Sequence, residues 1–272
     1  MKFTDEDLKK LWKPKEDSSG EDNGQITIIG GSKLFHGAPM LAVKAASRLV
    51  DMVFFGSPER ELEKVAQLNS FIWIPWEETE EYIKKSDAVL IGPGFMRFRS
   101  EGATDEEKMA CDEECRKSKE ITKGFLEKFS NKQWVVDGGS LQVMDVNWIP
   151  KNSILTPNKH EYEILFNSQF SISNLQIISK KYKCVVVYKG PVSYVSDGEI
   201  TYEVRGGNAG LTKGGTGDVL AGVIAGLAAK NPPLLAAAAG TFLVKETADK
   251  LFTENGYWYN ADDVAEKLVF PA

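Results

Sequence analysis

The sequence predicts one α/β domain, with a central, mostly parallel sheet and helices on both faces. Three features predict it. Short β-branched or aromatic runs alternate with longer segments of helical pattern. Most of these runs are continuously apolar, which suits strands covered on both faces. Several end at Gly, Pro, Asn, Asp or Lys, the edge at which open α/β sheets bind ligands. The 272 residues, 42% of them hydrophobic, suffice for a sizeable core.

Residues 1–25 are expected to hold a short helix and the polar loop KPKEDSSGEDNG, ahead of the main domain at 26–272. QITIIGG reads as a strand running into a glycine turn, and GAPMLAVKAASRLV as the helix after it. DMVFFG, SFIWI, DAVLIGPG, QWVVDGG, NSILTPN and CVVVYKG read as further strands. In VSYVSDGEITYEV an Asp-Gly pair between β-rich flanks predicts a hairpin, placed as an antiparallel edge. The highly charged stretch from Arg97 to Asn131 reads as a mobile loop and a long exposed helix, with Thr104 and Glu107 as a capping box. GTGDVLAGVIAGLAAK and LLAAAAGTFLVKETADKLF read as two helices split by Pro232-Pro233.

The net charge of −6 argues against a basic nucleic-acid footprint. MKFTDEDLKKLWKPK has no apolar core and so is not read as a secretory signal. The longest apolar stretch, Val219 to Ala229, is too short to cross a bilayer. Cys111 and Cys115 can share a helix face, but with Cys184 they make an odd set, and His36 and His160 are the only histidines. Zinc is therefore not expected, and the chain reads as a cytoplasmic protein of a reducing compartment.

The densest chemical signal is GNAGLTKGGTGDVLAG, residues 207–222. Glycines ahead of a helix let backbone N–H groups curl around an anion, and the helix N-terminus adds partial positive charge. Gly215, Thr216 and Gly217 are thus a candidate anion hole. Asp218, in the first helical turn, is placed to accept a proton from a hydroxyl attacking a phosphoryl group. A plainer alternative makes Asp218 a helix cap and the glycines packing residues. The stretch is neither a Walker loop nor a full G-x-G-x-x-G fingerprint.

IIGGSKLFHGAPMLAVKAASR, VLIGPGF, VVDGGSL, ILTPNKHEYEIL, VVVYKG and GNAGLTKGGTGDVLAGVIAGL follow one another in that order, and GYWYNADDVAEKL closes the chain. Together they resemble the ribokinase-like NAD(P)H-hydrate dehydratase family, formerly described as carbohydrate kinases. The resemblance implies a ribokinase-like fold and a nucleotide-dependent dehydration of (6S)-NADHX or NADPHX to NADH or NADPH. ADP or ATP with Mg²⁺ would phosphorylate the hydrate hydroxyl, and phosphate would then leave. ADP is favoured over ATP. The resemblance also implies a homo-oligomer and a functional pairing with a separate epimerase.

By the same resemblance, Asp218 is the catalytic aspartate and touches the hydrate. Lys189, Gly190, Pro191, Val192 and Ser193, with Asn208 and Gly217, bind the nucleotide. Lys213 lies on the approach, as a phosphate neutraliser or a solvated lysine. Ala38, Gly94 and Asn158 contact the hydrate, Asp137 is an acid on the substrate side or the metal side, and Glu161 organises Mg²⁺ through water or caps a helix. The histidines are not read as catalytic. This chain departs from the family in having SGEDNGQ where a His-Lys-Gly element is common, and Phe95-Met96 where another glycine usually follows GPG. A ribokinase-like kinase of a small vitamin-precursor alcohol, and a nucleotide-binding module without activity, are the competing readings.

Overall fold

The computed structural model describes residues 1–60, 62, 69–97 and 111–270. The helices are α1 (Asp5–Leu8), α2 (Gly37–Ala46), α3 (Thr79–Lys85), α4 (Glu113–Lys128), α5 (Gly138–Val143), α6 (Lys159–Phe166), α7 (Ile172–Tyr182), α8 (Thr216–Ala228), α9 (Pro233–Asn255) and α10 (Ala261–Glu266). The strands are β1 (Gln25–Ile29), β2 (Met52–Gly56), β3 (Ile72–Trp73), β4 (Ala88–Ile91), β5 (Gln133–Val136), β6 (Ile154–Leu155), β7 (Val185–Tyr188), β8 (Ser193–Ser196) and β9 (Thr201–Val204). They form one nine-stranded sheet in the order β3-β2-β1-β4-β5-β6-β7-β8-β9. Pairing is parallel from β3 to β7 and antiparallel through β8 and β9. The expected α/β class and the Asp197-Gly198 hairpin are both present.

Burial on both faces explains the unbroken apolar runs. Val135 packs into one core layer, while its neighbours Trp134 and Val136 pack into the other. The first layer is filled by small residues of α2, α8 and α9, such as Ala42, Ala221 and Ala237. Glycine is required where α8 meets α2, because a Cβ at Gly222 would collide with the Ala42 carbonyl. The second layer gathers Leu126 of α4, Leu141 of α5, Tyr162 of α6 and Leu175 of α7.

The N-terminus joins this sheet. Lys2 bridges to Glu203 on β9, and the Met1 ammonium donates to the Thr201 carbonyl at 2.8 Å. Phe3 is buried against Tyr202 and Phe242.

Several expectations change. Thr104 and Glu107 lie outside the described residues. Helix α4 begins further on, with the Asp112 side chain accepting from the Cys115 N–H. It is not wholly exposed: Cys115, Ser118, Thr122 and Leu126 are buried, and Thr122 shares a 2.8 Å hydrogen bond with Ser140 of α5. A charged helix still needs one buried stripe to dock. Cys111 and Cys115 are joined by a disulfide rather than held as free thiols, and their Cα atoms, 5.2 Å apart, lie within bridging range. Cys184 is free and buried. Pro232 caps α9 and Pro233 opens it, so the proline pair starts a helix as well as ending the one before. Among the described residues, no helix is long and apolar enough to cross a membrane.

Candidate active site

Strand order reverses between β1 and β4, which makes a switch point at their carboxyl ends. The connections after these strands meet backbone to backbone there. Gly94 has φ +76°, and a Cβ on it would collide with the Phe35 carbonyl, so a side chain is excluded by both conformation and space. Pro39, next to Ala38 in the first turn of α2, lies 3.0 Å from that same point.

The ends of β5, β6 and β7 carry charged side chains instead. Asp137 follows β5, is 2% exposed, and accepts from the Thr156 hydroxyl at 2.6 Å. Lys189 follows β7, and its Nζ lies 2.9 Å from Asp137 and 3.7 Å from Glu161. Glu161 and Asn158 form the capping box of α6: the Asn158 N–H donates to Glu161 at 2.8 Å and the Glu161 N–H to Asn158 at 3.0 Å. Gln142 also donates to Glu161, at 3.3 Å. Burial opposes the Lys189 charge, but Asp137 and Glu161 outweigh it and hold its pKa above the ordinary lysine value.

Helix α8 brings its N-terminus over this cluster. Gly215 is the N-cap, with φ +91°, and offers no side-chain cap to the first-turn N–H groups. A Cβ on it would strike Leu41 of α2 and come within 2.9 Å of Ala261. Thr216 turns its hydroxyl inward, donating to the carbonyls of Leu211 at 2.7 Å and Lys213 at 2.9 Å. The space beside Gly217 is open, with Lys189 Nζ 3.5 Å from where its Cβ would be. The carboxyl of Asp218 is pushed up to about 7, chiefly by burial and then by the negative charge of Asp137, with Lys189 opposing. A carboxyl in that range exchanges protons near neutrality, as a general base must.

A cavity of about 660 Å³ opens beside the cluster. It runs from Asn158 and Lys189 past Gly190 and Pro191 to Gly217. A smaller cavity of about 340 Å³, at the β8–β9 edge beside Met1 and Glu203, contains none of these residues.

Residues 26–269 match the family model described as NAD(P)H-hydrate dehydratase. The chain belongs to the NAD(P)H-hydrate dehydratase family. It is 36% identical to a bifunctional NAD(P)H-hydrate repair enzyme of Methanocaldococcus jannaschii, over 96% of this chain and 50% of that one. It is 29% identical to an ADP-dependent (S)-NAD(P)H-hydrate dehydratase of Nitrosopumilus maritimus, over 84% of this chain and 81% of that one. The chain therefore spans about half the length of the bifunctional relatives it matches. The ADP/ATP-dependent NAD(P)H-hydrate dehydratase of Bacillus subtilis, co-crystallised with ATP and Mg²⁺, shares the fold. Its TM-score is 0.77 at 19% identity, covering 98% of this chain and 95% of that one. The expected layered α/β fold is thus shared with that enzyme.

Of the residues that the family resemblance singles out, Asn158, Lys189, Gly190, Pro191, Ser193, Asn208, Thr216 and Gly217 line the larger cavity. Lys213 lines it too, whereas Asp137, Glu161, Val192, Gly215 and Asp218 do not, and Ala38 and Gly94 sit apart at the switch point. Ser193 closes the Gly190 turn, its hydroxyl donating to the Gly190 carbonyl at 3.3 Å. Asn208 is held from several sides: its amide donates to Ala248 and Asp249, and its oxygen accepts from Tyr259 at 2.7 Å and Gly210 at 3.0 Å. Lys213 is not a free cation, because its Nζ donates to the carbonyls of Tyr257 and Tyr259. His36 and His160 are exposed and do not line the cavity.

No group of three or more metal-ligating side chains stands together among the described residues. Asp137 and Glu161 face the Lys189 ammonium instead. This donor set does not fit a direct Mg²⁺ cage; it fits at most a hydrated ion carried on nucleotide phosphates. The sequence reading missed Thr156, Gln142 and Lys245. Lys245 leaves one signal, a lysine four residues after the buried Thr241 and seven after the buried Ala238, on a buried helix face with no other charge.

Proposed function

We propose that the chain dehydrates the hydrates of NADH and NADPH at the expense of an adenine nucleotide, preferring ADP. One observation carries this reading. A carboxyl with a pKa near 7, Asp218, sits in the uncapped first turn of a helix, beside an ion-paired lysine and a cavity of nucleotide size.

In this reading Asp218 accepts the hydroxyl proton of the hydrated ring. The oxygen then attacks the terminal phosphoryl group, whose bond to the nucleotide's bridging oxygen breaks to release the shorter nucleotide, and the growing charge meets the Gly217 N–H and the Lys189 ammonium. Asp137 holds Lys189 in place, and Thr156 holds Asp137. The phosphorylated ring next loses phosphate together with a proton from the adjacent carbon, which restores the reduced nicotinamide. Phosphate leaves far more readily than hydroxide, and this is why a kinase-like site suits a dehydration. Gly215 and Thr216 shape the anion hole. The turn of Gly190, Pro191, Val192 and Ser193, together with Asn208, surrounds the nucleotide. Ala38, Gly94, Asp137 and Asn158 border the hydrate. Mg²⁺, bound through water near Glu161, would neutralise phosphate charge.

A cytoplasmic location, a homo-oligomeric state and functional pairing with an epimerase belong to the same proposal. The test is incubation with hydrated NADH and ADP or ATP, following the absorbance of the reduced cofactor. Recovery with nucleotide, and not without it, is expected. A stable phosphate ester with no recovered cofactor would identify a small-alcohol kinase instead.

A further inference from the structure

Lys245 on α9 is 6% exposed, and its Nζ donates to three backbone carbonyls: Gly190 at 3.1 Å, Pro191 at 2.8 Å and Gly206 at 2.9 Å. A neutral amine has only two N–H bonds, so three acceptors call for the ammonium form. Burial pulls its pKa down to about 8, with Asp249 opposing, which leaves the ammonium predominant at neutral pH. One turn further along α9, Asp249 accepts from the Gly207 N–H at 2.8 Å and the Asn208 amide at 3.2 Å. The carbonyls come from two separate segments, the turn between β7 and β8 and the loop after β9. Gly190, Pro191, Gly206 and Lys245 all line the 660 Å³ cavity.

We propose that Lys245 is a positioning residue for nucleotide binding, its ammonium tying the Gly190–Pro191 turn to the Gly206–Asn208 loop so that both face the nucleotide in register. This rests on the assignment of that cavity to the adenine nucleotide. Lys245 makes no ion pair with the phosphoryl cluster and acts through the backbone it holds. An apolar side chain of equal length would fill the space but take the ammonium donor from the Pro191 and Gly206 carbonyls and leave Gly190 only the Ser193 hydroxyl.

The test is Lys245→Ala in the full chain, with ADP affinity measured by calorimetry and folding by thermal melting. Truncation removes the atoms of a propylammonium ion, which can enter from the cavity. ADP binding is expected to weaken by about 10-fold or more, the size of a lost charge-assisted hydrogen bond. Propylammonium should restore most of it, and 1-propanol should not. The KM for nucleotide should rise while that for the hydrate holds. If the alanine variant does not fold, Lys245→Met carries the affinity measurement. A folded variant that binds ADP within about twofold of wild type, or one rescued equally by propanol, overturns the role of Lys245 and leaves the functional reading intact. Wild-type protein that binds no adenine nucleotide overturns both.

Discussion

The carboxyl edge of the sheet is built in two ways. At β1 and β4 the chain presents backbone: glycine turns interlock so closely that Gly94 has no room for a side chain against Phe35. At β5, β6 and β7 it presents Asp137, Glu161 and Lys189, packed into an ionic cluster under Asp218. The first region makes room and the second makes charge. Shape can be built from backbone, whose geometry is rigid, but a proton acceptor near pH 7 needs side chains whose charges act on one another in a poorly solvated place.

The contrast can be broken at several points. Asp218→Asn should cut turnover by about 10²–10⁴-fold while ADP affinity changes little, as loss of a general base does. Turnover retained in the variant would remove Asp218 from the chemistry. Lys189→Met leaves Asp137 and Glu161 buried without their cation and should cost about 3–5 kcal/mol in urea unfolding. Adding Asp137→Asn should return part of that loss; strictly additive effects would mean that the pair is not coupled. On the backbone side, Gly94→Ala should cost about 1–3 kcal/mol through its positive φ and the Phe35 contact, and raise the hydrate KM with nucleotide affinity kept. Gly214→Ala, with open space around it, is the control and should melt like wild type.

The pH dependence sharpens the charged side. With Asp218 at about 7, kcat/KM should fall about tenfold per pH unit below that value and level off above it. A flat profile between about pH 5 and 8 would count against Asp218 as the base. The same shift bears on stability. An unfolded aspartate ionises near 3.8, the folded one near 7, so the fold holds the proton more tightly over that interval. The resulting stabilisation is complete below about pH 3.8 and is lost as pH rises through 7. Asp218→Asn should therefore melt higher than wild type above pH 7, with the gap closing toward acid. A gap that widens toward acid would reverse the sign of the shift.

Much of the site was legible because its parts are local. The glycine run and Asp218 lie within one helical start, and the strand-end residues Asp137, Asn158 and Lys189 follow unmistakably apolar runs. Asn158 and Glu161 also read as a cap, which they are. Lys245 was not legible, because its partners are carbonyls, and every residue has one. Lys213 read as a phosphate neutraliser or a solvated lysine, and its exposed side chain donates to the carbonyls of Tyr257 and Tyr259. The disulfide was missed for a similar reason: Cys111 and Cys115 at helical spacing look the same in sequence whether bonded or free.

By itself the sequence determined the strand and helix succession, the layered class and the turn that opens α8, since all three follow from short-range periodicity and glycine placement. Tertiary structure alone decided which carboxylates pair with Lys189 and which one has its proton affinity raised. Asp137, Glu161, Lys189 and Asp218 stand far apart along the chain, and proton affinity is set by burial and by the charges within a few ångströms, neither of which exists until the sheet has brought them together.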